Sequence, residues 1–182
     1  KIIKLSLAGL LFASFASAYD VAGKLDITFT GYKMAKKVGV DGTFKKVDFK
    51  FLQNEDFGEF LKSMKVDIDA LSLDTKLKMR NDNIAIIFKN ANFSNILAQI
   101  TDVKGDDKAG NMEVEITMNK ISKKVPFTYK VDGTNIVASG SVDLLDFALS
   151  KSFGDFAKKC KGFHAGKTWS DVGLKFSVPF KK

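Results

Sequence analysis

The sequence predicts an all-β domain, an antiparallel barrel or sandwich of about eight strands with two short helices. Three observations carry this: repeated period-2 alternation of apolar and polar residues, turn residues between the alternating runs, and seventeen phenylalanines in 182 residues. Leu25, Ile27 and Phe29 alternate with Asp26, Thr28 and Thr30, and Val47, Phe49 and Phe51 alternate with Asp48 and Lys50. The same pattern returns at Val66-Ile68-Ala70, Met112-Val114-Ile116-Met118, Val125-Phe127-Tyr129-Val131 and Leu174-Phe176-Val178. Each run reads as a strand with one buried and one wet face.

The punctuation agrees. Asp41-Gly42, Gly105-Asp106-Asp107, Ala109-Gly110-Asn111 and Asp132-Gly133-Thr134-Asn135 read as turns. Pro126 and Pro179 lie inside strand-like runs, where a missing N–H points to edge or irregular positions. Two stretches switch period. Asp74 to Phe88 places Leu77, Ile84 and Ile87 among charged residues, with Asp74 as N-cap. Ser152 to Lys161 places Phe153, Phe156, Ala157 and Cys160 at helical spacing, with Ser152 as cap.

At the N-terminus, Lys1 and Lys4 precede an apolar run from Leu5 to Phe15 and an Ala16-Ser17-Ala18 cleavage pattern. This predicts a signal peptide over residues 1–18 and a periplasmic or secreted domain over 19–182. The apolar run is shorter than the ~20 residues a spanning helix needs. Cys160 is the only cysteine, so no disulfide forms within the chain and the hydrophobic core must hold it together.

The formal charge is +8, carried almost wholly by lysine; Arg80 is the only arginine. Nucleic-acid readers rely on bidentate arginine contacts, and these lysines are dispersed on polar faces, which argues against that class. A cationic exported domain does favour anionic surfaces, and transient contact with a membrane surface is one expectation. Catalytic material is sparse. His164 and Cys160 stand four apart with Gly162 between them, two ligands where a zinc site needs more. Glu55, Asp56 and Glu59 form an acidic cluster that reads as a solvated loop. HExxH, GxSxG, P-loop and CxxC motifs are absent. The expectation is a protein that is not an enzyme and carries neither metal nor cofactor.

What remains is apolar. Phe29, Phe44, Phe49, Phe51, Phe93, Phe127, Phe147 and Phe176 fall on inward strand faces, with Ile68 and Ile116 beside them and Phe153 and Phe156 on the second helix. Any one of these is explained by core filling. As a set they suit an eight-stranded barrel whose interior holds one long apolar molecule, and they are the candidate ligand-binding residues.

Four stretches in order resemble the YceI-like family of exported bacterial domains: GVDGTFKKVDFKF, VDIDALSLDTKLKMRNDNI, ITMNKISKKVPFTYKV and GSVDLLDFAL. The third has Lys120 where a glycine is usual. The fourth has Leu145 where arginine is common and Ala148 where glycine is, and Thr28-Phe29-Thr30-Gly31 stands where many members carry a histidine-serine pair. The resemblance implies a lipocalin-like, up-and-down eight-stranded barrel. It also implies a long-chain isoprenoid or similar amphiphile, including quinones and fatty-acid-like lipids, held inside for transport, storage or stress protection. An open-mouthed barrel with an exposed apolar tail gains from being covered, which makes a homodimer a further expectation. Two rival readings stand beside this one: an interaction or adhesion module whose barrel is filled, and an enzyme on a lipid or quinone head group using Glu55, Asp56 or His164.

Overall fold

The computed structural model describes residues 17–182; positions 1–16 of the expected signal segment lie outside the described residues. The chain forms one antiparallel sheet in which nearly every strand pairs with the next in sequence. Its strands are β1 (Asp20–Val21), β2 (Asp26–Lys33), β3 (Val38–Phe44), β4 (Val47–Lys50), β5 (Lys65–Asp69), β6 (Leu73–Asp74), β7 (Asn95–Gly105), β8 (Ala109–Met118), β9 (Ile121–Asp132), β10 (Asn135–Asp143) and β11 (Thr168–Lys181). The helices are α1 (Phe57–Lys62), α2 (Lys78–Asn90) and α3 (Ser150–Cys160).

Ten of the eleven segments make eight staves. β3 and β4 are one strand broken at Lys45-Lys46, and β5 and β6 are one strand broken by a 3₁₀ turn at Ala70–Ser72. β3 pairs with β6 through Phe44 and Leu73, and β4 pairs with β5 through Val47 and Ile68. This composite pair joins the two ends of the sheet, while β11 pairs with β2 on the other side. The result is an up-and-down barrel of eight staves, with the two-residue β1 added along β11. Closure leaves no long free edge.

The local expectations hold where alternation governs and shift where tertiary packing intervenes. Asp41-Gly42 is not a turn but part of β3, opposite Phe29 and Thr30. The turn lies at Met34 to Lys37, and both of those residues have positive φ. Glycine at 42 answers a steric demand: a Cβ there would run into the Phe29 ring, which lies across it. Pro126 lies in an interior strand, opposite Glu113 of β8 and one residue beyond the last β9–β10 pair at Phe127 and Gly140.

The helices start and cap differently from the expectation. α2 begins at Lys78 after Leu77, without a side-chain cap. Asp74 ends β6 instead, and its carboxylate accepts from the Lys76 N–H and the Asn81 side chain, tying the turn to the helix. These hydrogen bonds and Lys45 hold the Asp74 carboxyl well below the usual range. Ser152 is not a cap: it is buried inside α3, and its hydroxyl donates back to the Leu149 carbonyl. α1 was hidden in the acidic cluster. Asp56 caps it by accepting from the Glu59 N–H at 2.8 Å, while Glu59 pairs with Lys62.

α1 closes one end of the barrel. Phe60 and Leu61 are fully buried there, Phe57 is nearly so, and the Tyr19 ring lies edge-on to Phe57 at 5.0 Å. Phe180 completes the aromatic plug, with Phe57 5.8 Å away. The Tyr19 hydroxyl donates to Asp107 and accepts from Lys182, joining the N-terminal segment to a hairpin and to the C-terminus. α2 and α3 lie together across the opposite end, with the β2–β3 and β8–β9 turns around them.

Candidate functional site

Between the aromatic plug and the two helices, the barrel holds a cavity of about 370 Å³. That lies within the range of small-molecule pockets. Strand alternation builds its walls. Ile27 and Phe29 face in from β2, Phe44 and Phe49 from the broken strand, and Val66 and Ile68 from β5. Ile116, Phe127 and Phe176 close the far wall. The Phe29 and Phe44 rings lie 5.2 Å apart, and those of Phe127 and Phe176 lie 6.1 Å apart. α2 contributes Ile84, Ile87 and Phe88 to the roof, and α3 contributes Phe153, Phe156 and Cys160.

Nine of the twelve candidate ligand-binding residues therefore line one cavity: Phe29, Phe44, Phe49, Ile68, Ile116, Phe127, Phe153, Phe156 and Phe176. The other three do not reach it. Phe51 lies one residue past the end of β4, where the chain turns away toward α1, and packs on Phe49 at 5.3 Å. Phe93 follows the positive-φ Asn92 in the α2–β7 connection and packs edge-on to Phe88. Phe147 is on no strand: it ends a 3₁₀ turn over Leu144–Phe147 and is buried in the core. Only Phe51 continues an alternating run past the end of its strand; Phe93 and Phe147 belong to no such run.

The cavity opens past the helices. Leu77, Met79 and Phe163 line this opening and are 45%, 51% and 56% exposed. Such large apolar side chains gathered at one mouth differ from the scattered exposure normal for a surface. Gly31 also lines the cavity, and a Cβ there would meet nothing within 4 Å. The cavity has free space beside that position.

Lys65, Gln99 and Lys175 are polar residues of the lining set along the strands, and a second polar group, Lys33, Arg80, His164 and Thr168, lies at the mouth. Lys33 ends β2 and faces Thr168 of β11 directly across the ladder. Thr168 shares a 2.7 Å hydrogen bond with His164 Nδ1. The His164 ring also lies edge-on to Phe156 at 5.9 Å. Burial, then the charges of Lys33 and Arg80, push the His164 pKa below its ordinary value. Arg80 comes from α2 and donates to the Thr75 carbonyl at 3.4 Å. Cys160 is a free, buried thiol on the cavity wall, and burial pushes its pKa up, away from reactivity. His164 and Cys160 share no metal set, and among the described residues no group of three or more His, Cys, Asp or Glu side chains is placed to hold an ion.

Lys33, Arg80 and Thr168 were not singled out by sequence, although the signal for Lys33 was present. The alternation Leu25, Ile27, Phe29 continues through Gly31 to Lys33, which puts a lysine on the inward face. Glu55, Asp56 and Glu59 sit at the plugged end beside Asp106 and Asp107, away from the cavity.

Solved structures share this architecture. A polyisoprenoid binding domain from Saccharophagus degradans aligns with a TM-score of 0.61 at 12% identity, covering 91% of this chain and 98% of that one. BcnA from Burkholderia cenocepacia aligns with a TM-score of 0.61 at 21% identity, covering 90% and 100%. A Campylobacter jejuni YceI protein aligns with a TM-score of 0.59 at 17% identity, covering 98% and 99%. At these identities the likeness is one of fold. No curated protein matches the sequence. The YceI-like domain family matches residues 19–180, nearly the whole of the barrel from Tyr19 to its last strand, and the chain belongs to that family.

Proposed function

We propose that this chain binds one long-chain amphiphile inside its barrel, an isoprenoid, quinone or fatty-acid-like lipid, and carries or stores it without catalysis. The supporting observation is an apolar cavity plugged by aromatic rings at one end and opened through Leu77, Met79 and Phe163 at the other. A tail can enter such a space and a head group can stay at its mouth. Burying an apolar chain yields about 0.8 kcal/mol per CH₂, so a ~15-carbon tail offers roughly 12 kcal/mol before association costs. No reactive group is needed for retention. The open interior weighs against a filled interaction barrel, and the placement of Glu55, Asp56 and Glu59 outside the cavity weighs against their acting on a bound head group.

The S. degradans neighbour is a polyisoprenoid binding domain, which supports a ligand of that type here. The Lys1 to Ala18 pattern supports export, so the working compartment in this proposal is the periplasm. Transport, storage and stress protection all follow from reversible retention of a lipid. The exposed mouth residues would be covered by a second copy of the chain or by a membrane surface during loading.

Organic extraction of the natively purified protein, followed by mass spectrometry, tests the reading. One long-chain molecule per chain is expected. Extracts free of lipid from several expression hosts would count against a carrier and favour the interaction module.

A further inference from the structure

The cavity lining carries positive charge and no negative charge. No aspartate or glutamate lines it, and among the described residues neither Lys33 nor Arg80 takes part in an ion pair. Four cations line the cavity; Lys65 and Lys175 are exposed, whereas Lys33 and Arg80 are drawn into it. Lys33 lies on the same strand face as Ile27, Phe29 and Gly31 and is half-buried. Arg80, also half-buried, makes one long hydrogen bond, to the Thr75 carbonyl, which leaves most of its five donors uncommitted. Thr168 and His164 complete the group, one paired with Lys33 across the ladder and the other held by the Thr168 hydroxyl.

We infer that Lys33, Arg80, Thr168 and His164 form an anion site at the cavity mouth, so that the ligand is a single-tailed lipid acid with a carboxylate or phosphate head. The inference rests on the lipid-carrier reading and narrows it to charged amphiphiles. The guanidinium offers a planar fork suited to two oxygens, and the ammonium offers a point charge. The hydroxyl and the imidazole supply neutral hydrogen-bonding groups between them. An anion there would neutralise the charges that, with burial, hold the His164 pKa down. Beyond the site, the open space beside Gly31 leads toward Phe29, Phe127 and Phe176, where a tail would lie.

Matched ligands separate head from tail. Delipidated full chain is loaded with a neutral fluorescent dye and titrated with oleate against oleyl alcohol, farnesyl phosphate against farnesol, and inorganic phosphate alone. Each acid should displace the dye at least about tenfold better than its alcohol, the scale of one or two charge-assisted hydrogen bonds. In Lys33→Gln/Arg80→Gln the acid-to-alcohol ratio should fall to near one. In the wild type, added salt should weaken the acids more than the alcohols, a readout that needs no variant. Equal affinity for acid and alcohol in the wild type overturns the anion site and leaves the carrier standing. So does a preference that survives both substitutions. Inorganic phosphate competing as well as farnesyl phosphate also overturns it, by showing a phosphate site independent of the tail. Binding by neither member of either pair overturns the anion site and the carrier together.

Discussion

At the end of the barrel reached by the 105–110 and 132–135 hairpins, α1 and the rings of Tyr19, Phe57, Phe60 and Phe180 fill the space between the strands. At the end reached by the 34–37 and 119–120 turns, α2 and α3 arch over a space left open. The backbone differs in the same way. At the plugged end, left-handed turn positions are taken by Gly105 and Gly133. At the open end Gly166 takes one, but Met34, Lys37, Lys76, Asn92, Asn119, Lys120, Ala148 and Ala165 take the others. An L-residue in the left-handed region costs roughly 1–2 kcal/mol. One end of this barrel is thus built for cohesion, and the other keeps strain and exposed apolar surface around an entrance. Binding regions commonly come from the less stable part of a structure.

The largest effect should follow from breaking the plug. Phe60 is fully buried, so Phe60→Ala should lower the unfolding free energy by about 3–5 kcal/mol in urea denaturation. Phe163→Ser at the open end should change it by no more than about 0.5 kcal/mol. Equal losses at the two sites would mean that the mouth is as tightly built as the plug. A second contrast lies along the cavity wall. Gly42→Ala places a methyl against the Phe29 ring and should cost about 1–3 kcal/mol, whereas Gly31→Ala projects one into open space and should cost almost nothing.

These glycines also show what the sequence can and cannot reveal. Alternation disclosed β2, β4, β5, β8, β9 and β11, because the period of a half-buried strand is written directly in residue types, whereas β3, β7 and β10 were not read from it. It misread Gly42 as a turn, since a glycine required by a ring from the neighbouring strand looks the same as one required by φ. α1 was invisible: its buried Phe57, Phe60 and Leu61 are embedded among acids, and only the docking of one short helix into the barrel end makes them core. Phe51 was assigned to the cavity because nothing local marks where β4 stops, and Phe93 and Phe147 because a phenylalanine in a connection looks the same as one on a strand. The cluster of Lys33, Arg80, Thr168 and His164 draws on two strands, a helix and a loop, and such convergence has no linear signature.

Smaller effects should come from relieving strain at the open end. Lys120 and Ala148 have φ of 64° and 55°, in the left-handed region that favours glycine. Ala148→Gly should stabilise the protein by about 0.5–1 kcal/mol, the left-handed cost less the extra entropy glycine brings to the unfolded chain. Lys120→Gly should act in the same direction. A rise of a few degrees in Tm would show that the strain is removable, and a fall would show that the entrance turns are held by contacts the substitutions remove.

Native mass spectrometry of the wild type and Gly31→Leu tests the occupied cavity most directly. A Cβ at 31 meets nothing within 4 Å, so leucine there extends into the space proposed for the tail. The expected result is a folded wild type carrying one lipid adduct per chain and a folded Gly31→Leu variant that has lost it. A wild type without adduct, or an adduct retained equally by both, would contradict a ligand held inside this barrel.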